Sequence, residues 1–138
     1  MDATNPSMYK SNIMRHELRI NSAARFHCAP DWSWDTRDHG MPDRDLWVVL
    51  AGTGTACLAR GATGANCAAD GQEIPVGRGD VFVLDETRPF SARHDQGDPL
   101  TVVAVHFEDG PPLPAHVRVV PVEFLAGILD RLLRCRLL

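Results

Sequence analysis

Hydrophobic and polar positions alternate over short distances along this 138-residue chain, between frequent turn residues. A first periodic segment at 13–20 predicts a short strand. Residues 26–34 follow, with Trp32 and Trp34 alternating as they would on one face of a strand. Residues 46–50, Leu-Trp-Val-Val-Leu, are a continuous apolar run closed by Gly52 and Gly54, the pattern of a buried strand. Residues 55–60 continue as a further strand, 61–66 read as a Gly/Ala loop, and 72–76 resume the extended pattern. A tight turn at 77–80 leads to the apolar residues 81–84, and a turn at 85–88 leads to a strand at 89–94. Residues 100–107 are the longest strand candidate. Val102, Ala104 and His106 share one of its faces, and Val103, Val105 and Phe107 the other.

After Pro111, Pro112, Pro114 and Pro121 the period changes. Leu125, Ile128, Leu129, Leu132 and Leu133 recur at helical spacing with Asp130, Arg131 and Arg134 opposite, which predicts an amphipathic helix over 122–138 with Pro121 near its first turn. Some seven to nine short strands followed by one helix make a mainly-β chain. The expected architecture is an antiparallel β-barrel or jelly roll with a C-terminal α-helix. The expected divisions are a flexible N-terminal arm at 1–12, the barrel at 13–110, and a Pro-rich linker with the helix at 111–138.

Composition agrees with strands and turns. Gly and Pro together number 21, against 9 aromatic residues. Charge narrows the function: 14 basic against 18 acidic side chains leave a net −4, which speaks against nucleic-acid contact by this chain. No apolar run approaches the roughly 18 residues of a membrane span, and the polar N-terminus lacks the apolar stretch of a signal peptide, so a cytoplasmic protein without membrane contact is expected. The four cysteines, 28, 57, 67 and 135, form no C-x-x-C pair. In a cytosolic setting they are expected as free thiols rather than disulfides or zinc ligands.

Two stretches resemble the cupin barrel. One is 46–54, the apolar strand ending in Gly-x-Gly. The other is 74–84, Ile-Pro-Val-Gly-Arg-Gly-Asp-Val-Phe-Val-Leu, which resembles the l-x-x-G-D-l-f-l-l-p-p stretch of cupin-type domains. Locally, Gly79 suits the turn and Asp80 is placed to accept from turn amides. The order of 46–54, then 79–84, then Val105-His106-Phe107-Glu108, then a helix from Val122, is similar to the N-terminal sensor domain of AraC-family transcription regulators. That resemblance covers roughly 20–138. It implies a small-molecule effector, of a sugar-like kind, inside the barrel, and a homodimer through the helix by way of Leu125, Ile128, Leu129 and Leu132. DNA contact would belong to a helix-turn-helix domain beyond Leu138, and the arm before Ser11 is a candidate for closing over the pocket.

The resemblance also implies site residues. Arg37 lies 15 residues before Gly52, the offset of the sugar-contacting arginine in arabinose-sensing members, and offers a guanidinium fork. Val102, Ala104 and Ser91 stand where those members have a His, a Trp and a Tyr, so arabinose itself is not expected. Trp34, Trp47 and Phe90 are expected as replacement walls, with Ser91 and His106 as further ligand-facing candidates. The alternative is a stand-alone cupin enzyme, a metal-dependent isomerase or dioxygenase. Its first motif needs H-x-H where 43–47 read Asp-Arg-Asp-Leu-Trp with only His39 nearby, and its second needs a His where Pro89 and Phe90 stand. His94 and His106 are not at ligand spacing. No catalytic residue, metal or cofactor is therefore expected.

Overall fold

The computed structural model describes residues 17–29, 31–36, 40–59 and 71–135. The expected arm, Arg37, His39, Cys67, the 61–66 loop and the last three residues lie outside these. Nine strands precede one helix: β1 (Leu18–His27), β2 (Ser33–Asp35), β3 (Arg44–Ala51), β4 (Gly54–Ala59), β5 (Gly71–Val76), β6 (Asp80–Leu84), β7 (Phe90–His94), β8 (Thr101–Asp109), β9 (His116–Arg118) and α1 (Val122–Cys135).

The strands form two antiparallel sheets, ordered β1-β8-β3-β6-β9 and β2-β7-β4-β5. The pairs β1·β8, β2·β7, β3·β6 and β4·β5 are the successive rungs of one long antiparallel ribbon. Rolling that ribbon around a core adds the closing pairs β3·β8 and β4·β7. This is a jelly roll, which hides most strand edges by winding rather than by full closure. The mainly-β jelly roll with a C-terminal helix is thus the observed architecture.

Two strands differ from the expected pattern. Of the segment expected at 13–20, residues 13–16 lie outside the described residues; 18–20 begin a longer β1, which pairs with β8 all the way to His27↔Thr101. Its apolar period is weak because β1 is a sheet edge and most of it is exposed. β9, three residues within the segment expected as linker, shows no period at all. Its register on β6 sets Arg118 opposite Asp80 and His116 opposite Phe82. Asp80, fully buried, accepts from Gly77 N (2.7 Å), His116 Nε2 (2.8 Å) and Arg118 Nη2 (3.1 Å). An edge strand too short to form alone is held by bonds to a buried carboxylate, one of them from the exposed Arg118.

Gly-x-Gly has a steric reason. Gly52 sits at φ +86°, and a Cβ there would fall 2.2 Å from the Pro99 carbonyl oxygen. The turn from β3 to β4 therefore admits only glycine at this point.

There are two cores. Inside the roll lie Trp47, Val49, Phe82, Leu84, Phe90, Leu100 and their neighbours. Outside the five-stranded sheet, Val48, Val81, Val103 and Val105 are covered by Leu125, Leu129, Leu132 and Leu133 of α1. Three of the four residues expected at a dimer interface, Leu125, Leu129 and Leu132, thus face their own barrel. Ile128 faces outward, 49% exposed, one turn from Phe124 at 71%. Arg25–Asp130 and Arg78–Glu123 ion pairs pin the helix at its rim.

Cys57 is disulfide-bonded, with its partner outside the described residues, while Cys28 and Cys135 are free. This corrects the expectation of free thiols throughout. Spacing along the chain could not show the bond, because distant cysteines meet only after strands have paired. Disulfides persist in oxidising compartments, so the thiol-based argument for a cytoplasmic setting falls away. Among the described residues, no helix is long and apolar enough to cross a membrane.

Candidate functional site

Alternation along β3 and β8 sends Asp45, Trp47 and Val49, with Val102, Ala104 and His106, to the inside of the five-stranded sheet. Register places Asp45 beside His106 and Trp47 beside Ala104. Small Val102 and Ala104 leave room above the sheet. A cavity of about 290 Å3 opens there, lined by Phe26, Cys28, Trp32, Trp34, Trp47 and the Asp45–His106 pair, with His27, Ala29, Val102 and Ala104. That volume is at the lower end for a small-molecule site, which commonly measures roughly 300–1,000 Å3.

The walls are aromatic. Trp32 and Trp47 stack at 5.9 Å between centroids and 14° between planes. Trp34 lies 6.2 Å from Trp47 at 42°. Trp47 is rooted from behind by Phe82 and Phe90, at 5.9 and 5.6 Å. The buried hub Trp47 is thereby fixed, while half-buried Trp32 and Trp34 border the opening.

One end of the cavity is acidic. His106 Nδ1 is 2.8 Å from Asp43 Oδ1, and Asn21 Nδ2 donates to Asp43 Oδ2 at 3.0 Å. A carboxylate only accepts, so Nδ1 carries the proton and donates it to Asp43. In the neutral ring, Nε2 is then an acceptor. It lies 3.7 Å from Asp45 Oδ2, within ion-pair range but beyond a hydrogen bond. Asp45 is only 2% exposed, and its Oδ1 has no hydrogen-bond partner among the described residues. Burial pushes the Asp45 carboxyl up to about 6; His106 opposes this and the Asp43 charge adds to it. Asp43 goes the other way: burial raises it, but the Asn21 and His106 hydrogen bonds prevail and hold it below the usual carboxylate range. Burial also raises the Cys28 thiol, so it is an apolar wall more than a nucleophile.

Of the residues singled out from the sequence, Trp34, Trp47 and His106 meet at this cavity. Phe90 is 1% exposed and packs behind Trp47 rather than on the opening. Ser91 lies on β7 between inward-facing Phe90 and Ala92, and borders a separate polar pocket, also of about 290 Å3, with Asp35, Glu73 and Arg93 on the outer side of the four-stranded sheet. Arg37 lies outside the described residues. Sequence reading passed over Asp43, Asp45 and Trp32. The available signal was an aspartate two residues before Trp47, in phase with Val49, and hence an acid on the buried face. Among the described residues, no three His, Cys, Asp or Glu side chains are grouped to hold a metal ion.

No protein-family model matches the sequence, and a search of curated proteins found no match. Among solved structures, the chain is similar to a point variant of Bacillus subtilis oxalate decarboxylase, with TM-score 0.47 and 14% identity over 83% of this chain and 29% of that one. It is also similar to vicilin from Solanum lycopersicum (tomato), with TM-score 0.44 and 14% identity over 75% of this chain and 26% of that one. The chain thus spans less than a third of either protein. The jelly-roll assignment rests on the strand order itself.

Proposed function

We propose that this chain is a small-molecule-sensing and dimerisation domain of the AraC regulator type. The cavity carries this reading: three tryptophans around a buried carboxylate oxygen that lacks a donor. A core selected for stability alone would not keep such an oxygen, because an unsatisfied buried polar group costs about 1–3 kcal/mol. A ligand donor would meet Asp45 where its side chain lines the cavity. Support for the regulator type is the motif order together with a helix laid on the barrel that keeps Phe124 and Ile128 exposed, a stripe suited to a second copy of the chain. Ligand binding would act by favouring one arrangement of barrel and helix, and so of whatever follows Leu138.

A thermal-shift screen of small amines, alcohols, sugars and carboxylic acids tests the sensor reading. At least one hit is expected, lost on Trp34→Ala. Absence of any hit contradicts it. Two helix-turn-helix units in the reading frame after Leu138 are the expected companion, and their absence contradicts the regulator type.

One observation favours a second reading. Asp45, raised to about 6 beside a His oriented by Asp43, is also the arrangement of an acid–base pair. Turnover of a bound hit, lost on His106→Gln, would favour an enzyme over a sensor.

A further inference from the structure

We infer that the cavity takes a small organic amine, its ammonium held by Asp45 and its apolar part laid against Trp32, Trp34 and Trp47. This rests on the cavity being the ligand site, and adds the chemical class of the ligand.

The first argument is the count of donors and acceptors. With Nδ1 committed to Asp43, the polar end offers the Asp45 carboxylate, which only accepts. An occupant must bring donors only. An ammonium brings three from one atom; a hydroxyl brings one, together with lone pairs that find nothing to meet. The second argument is charge. The Asp43 and Asp45 carboxylates both stand at this end. A carboxylate ligand would be repelled, while a cation is matched. The third is the wall. Indole faces attract cations as well as apolar groups, and of the remaining lining, Phe26, His27, Cys28, Ala29, Val102 and Ala104, only His27 is strongly polar, with its Nδ1 3.1 Å from Thr101 Oγ1. The raised carboxyl of Asp45 is consistent with a group lacking its counter-charge.

Isothermal titration calorimetry at pH 7.5 with benzylamine, benzyl alcohol and benzoate compares three headgroups on one ring. Benzylamine is expected to bind at least about tenfold more tightly than the alcohol, as a hydrogen bond between charged groups implies, with benzoate weakest. Asp45→Asn should weaken benzylamine by about tenfold or more and leave the alcohol within about threefold. Its near-UV circular dichroism should match the parent. Alcohol or benzoate binding as tightly as the amine would overturn the amine assignment while leaving the cavity a ligand site. No binding by any of the three would overturn both. Unchanged benzylamine affinity in Asp45→Asn would remove Asp45 from the site. The headgroup comparison needs no variant, so it stands even if the substitution disturbs folding.

Discussion

Replacing Asp45 by Asn should make the unliganded protein more stable at neutral pH, against the usual direction for a buried residue. The carboxyl has a pKa of about 6 in the folded chain against an ordinary 3.8, so it binds its proton more tightly folded than unfolded. Stability then falls as pH rises from about 4 to about 6, and the full penalty applies above that. A gap of about two pH units, at 1.36 kcal/mol each, makes the penalty about 3 kcal/mol. Asn keeps the shape and removes the charge. At pH 8 the variant should therefore exceed the parent by up to about 3 kcal/mol, or about 10 °C in Tm for a domain of this size. At pH 3.5 the two should nearly coincide. Urea unfolding of both proteins at pH 3.5, 6 and 8 measures this. A variant no more stable than the parent at pH 8, or a difference that does not change with pH, would refute the reasoning.

Asp80→Asn should do the reverse. Burial raises this carboxyl, but the Arg118, His116 and Gly77 bonds prevail and lower it, so its stabilisation is present above pH 4 and lost as acid protonates it. A loss of about 1–3 kcal/mol at pH 7 that shrinks toward pH 3 is expected in the same unfolding assay. Leu129→Ala, under α1 and 3% exposed, should cost about 2–5 kcal/mol, read by urea midpoint. Ile128→Asp, on the outward stripe, should change stability by less than about 0.5 kcal/mol yet shift a dimer to monomer in sedimentation velocity. An unchanged profile would take this stripe out of any interface.

Much of the roll was legible because its strands are short, half-buried and punctuated. The apolar run 46–50, the turn before Asp80 and the faces of 100–107 all reappear in β3, β6 and β8. The helix was legible from its stripe, but which way that stripe faces was not. Leu125, Leu129 and Leu132 satisfy the period equally well against a partner or against their own sheet, and only the outer valines of β3, β6 and β8 decide it. β9 left no pattern because a long-range ion pair, not periodicity, holds it. At the site, Trp34, Trp47 and His106 are reached through the resemblance to a ligand-binding barrel, together with residue type and alternation. Asp45 was overlooked because it was weighed only as a missing metal ligand, whereas its significance is register: it sits on the inner face of β3 beside His106. Ser91 is misleading in sequence for the same reason, since one residue along a strand changes the face.

All three tryptophans of the chain line the one cavity, so intrinsic indole fluorescence reports on it without any label. Titrating the unaltered protein with benzylamine, with excitation near 295 nm, should give a saturable change that fits one site. The change should weaken as pH drops from 7.5 to 4.5 and Asp45 gains its proton. Emission that stays constant up to millimolar amine, or changes linearly without saturation at both pH values, would contradict the claim that this cavity is a ligand site.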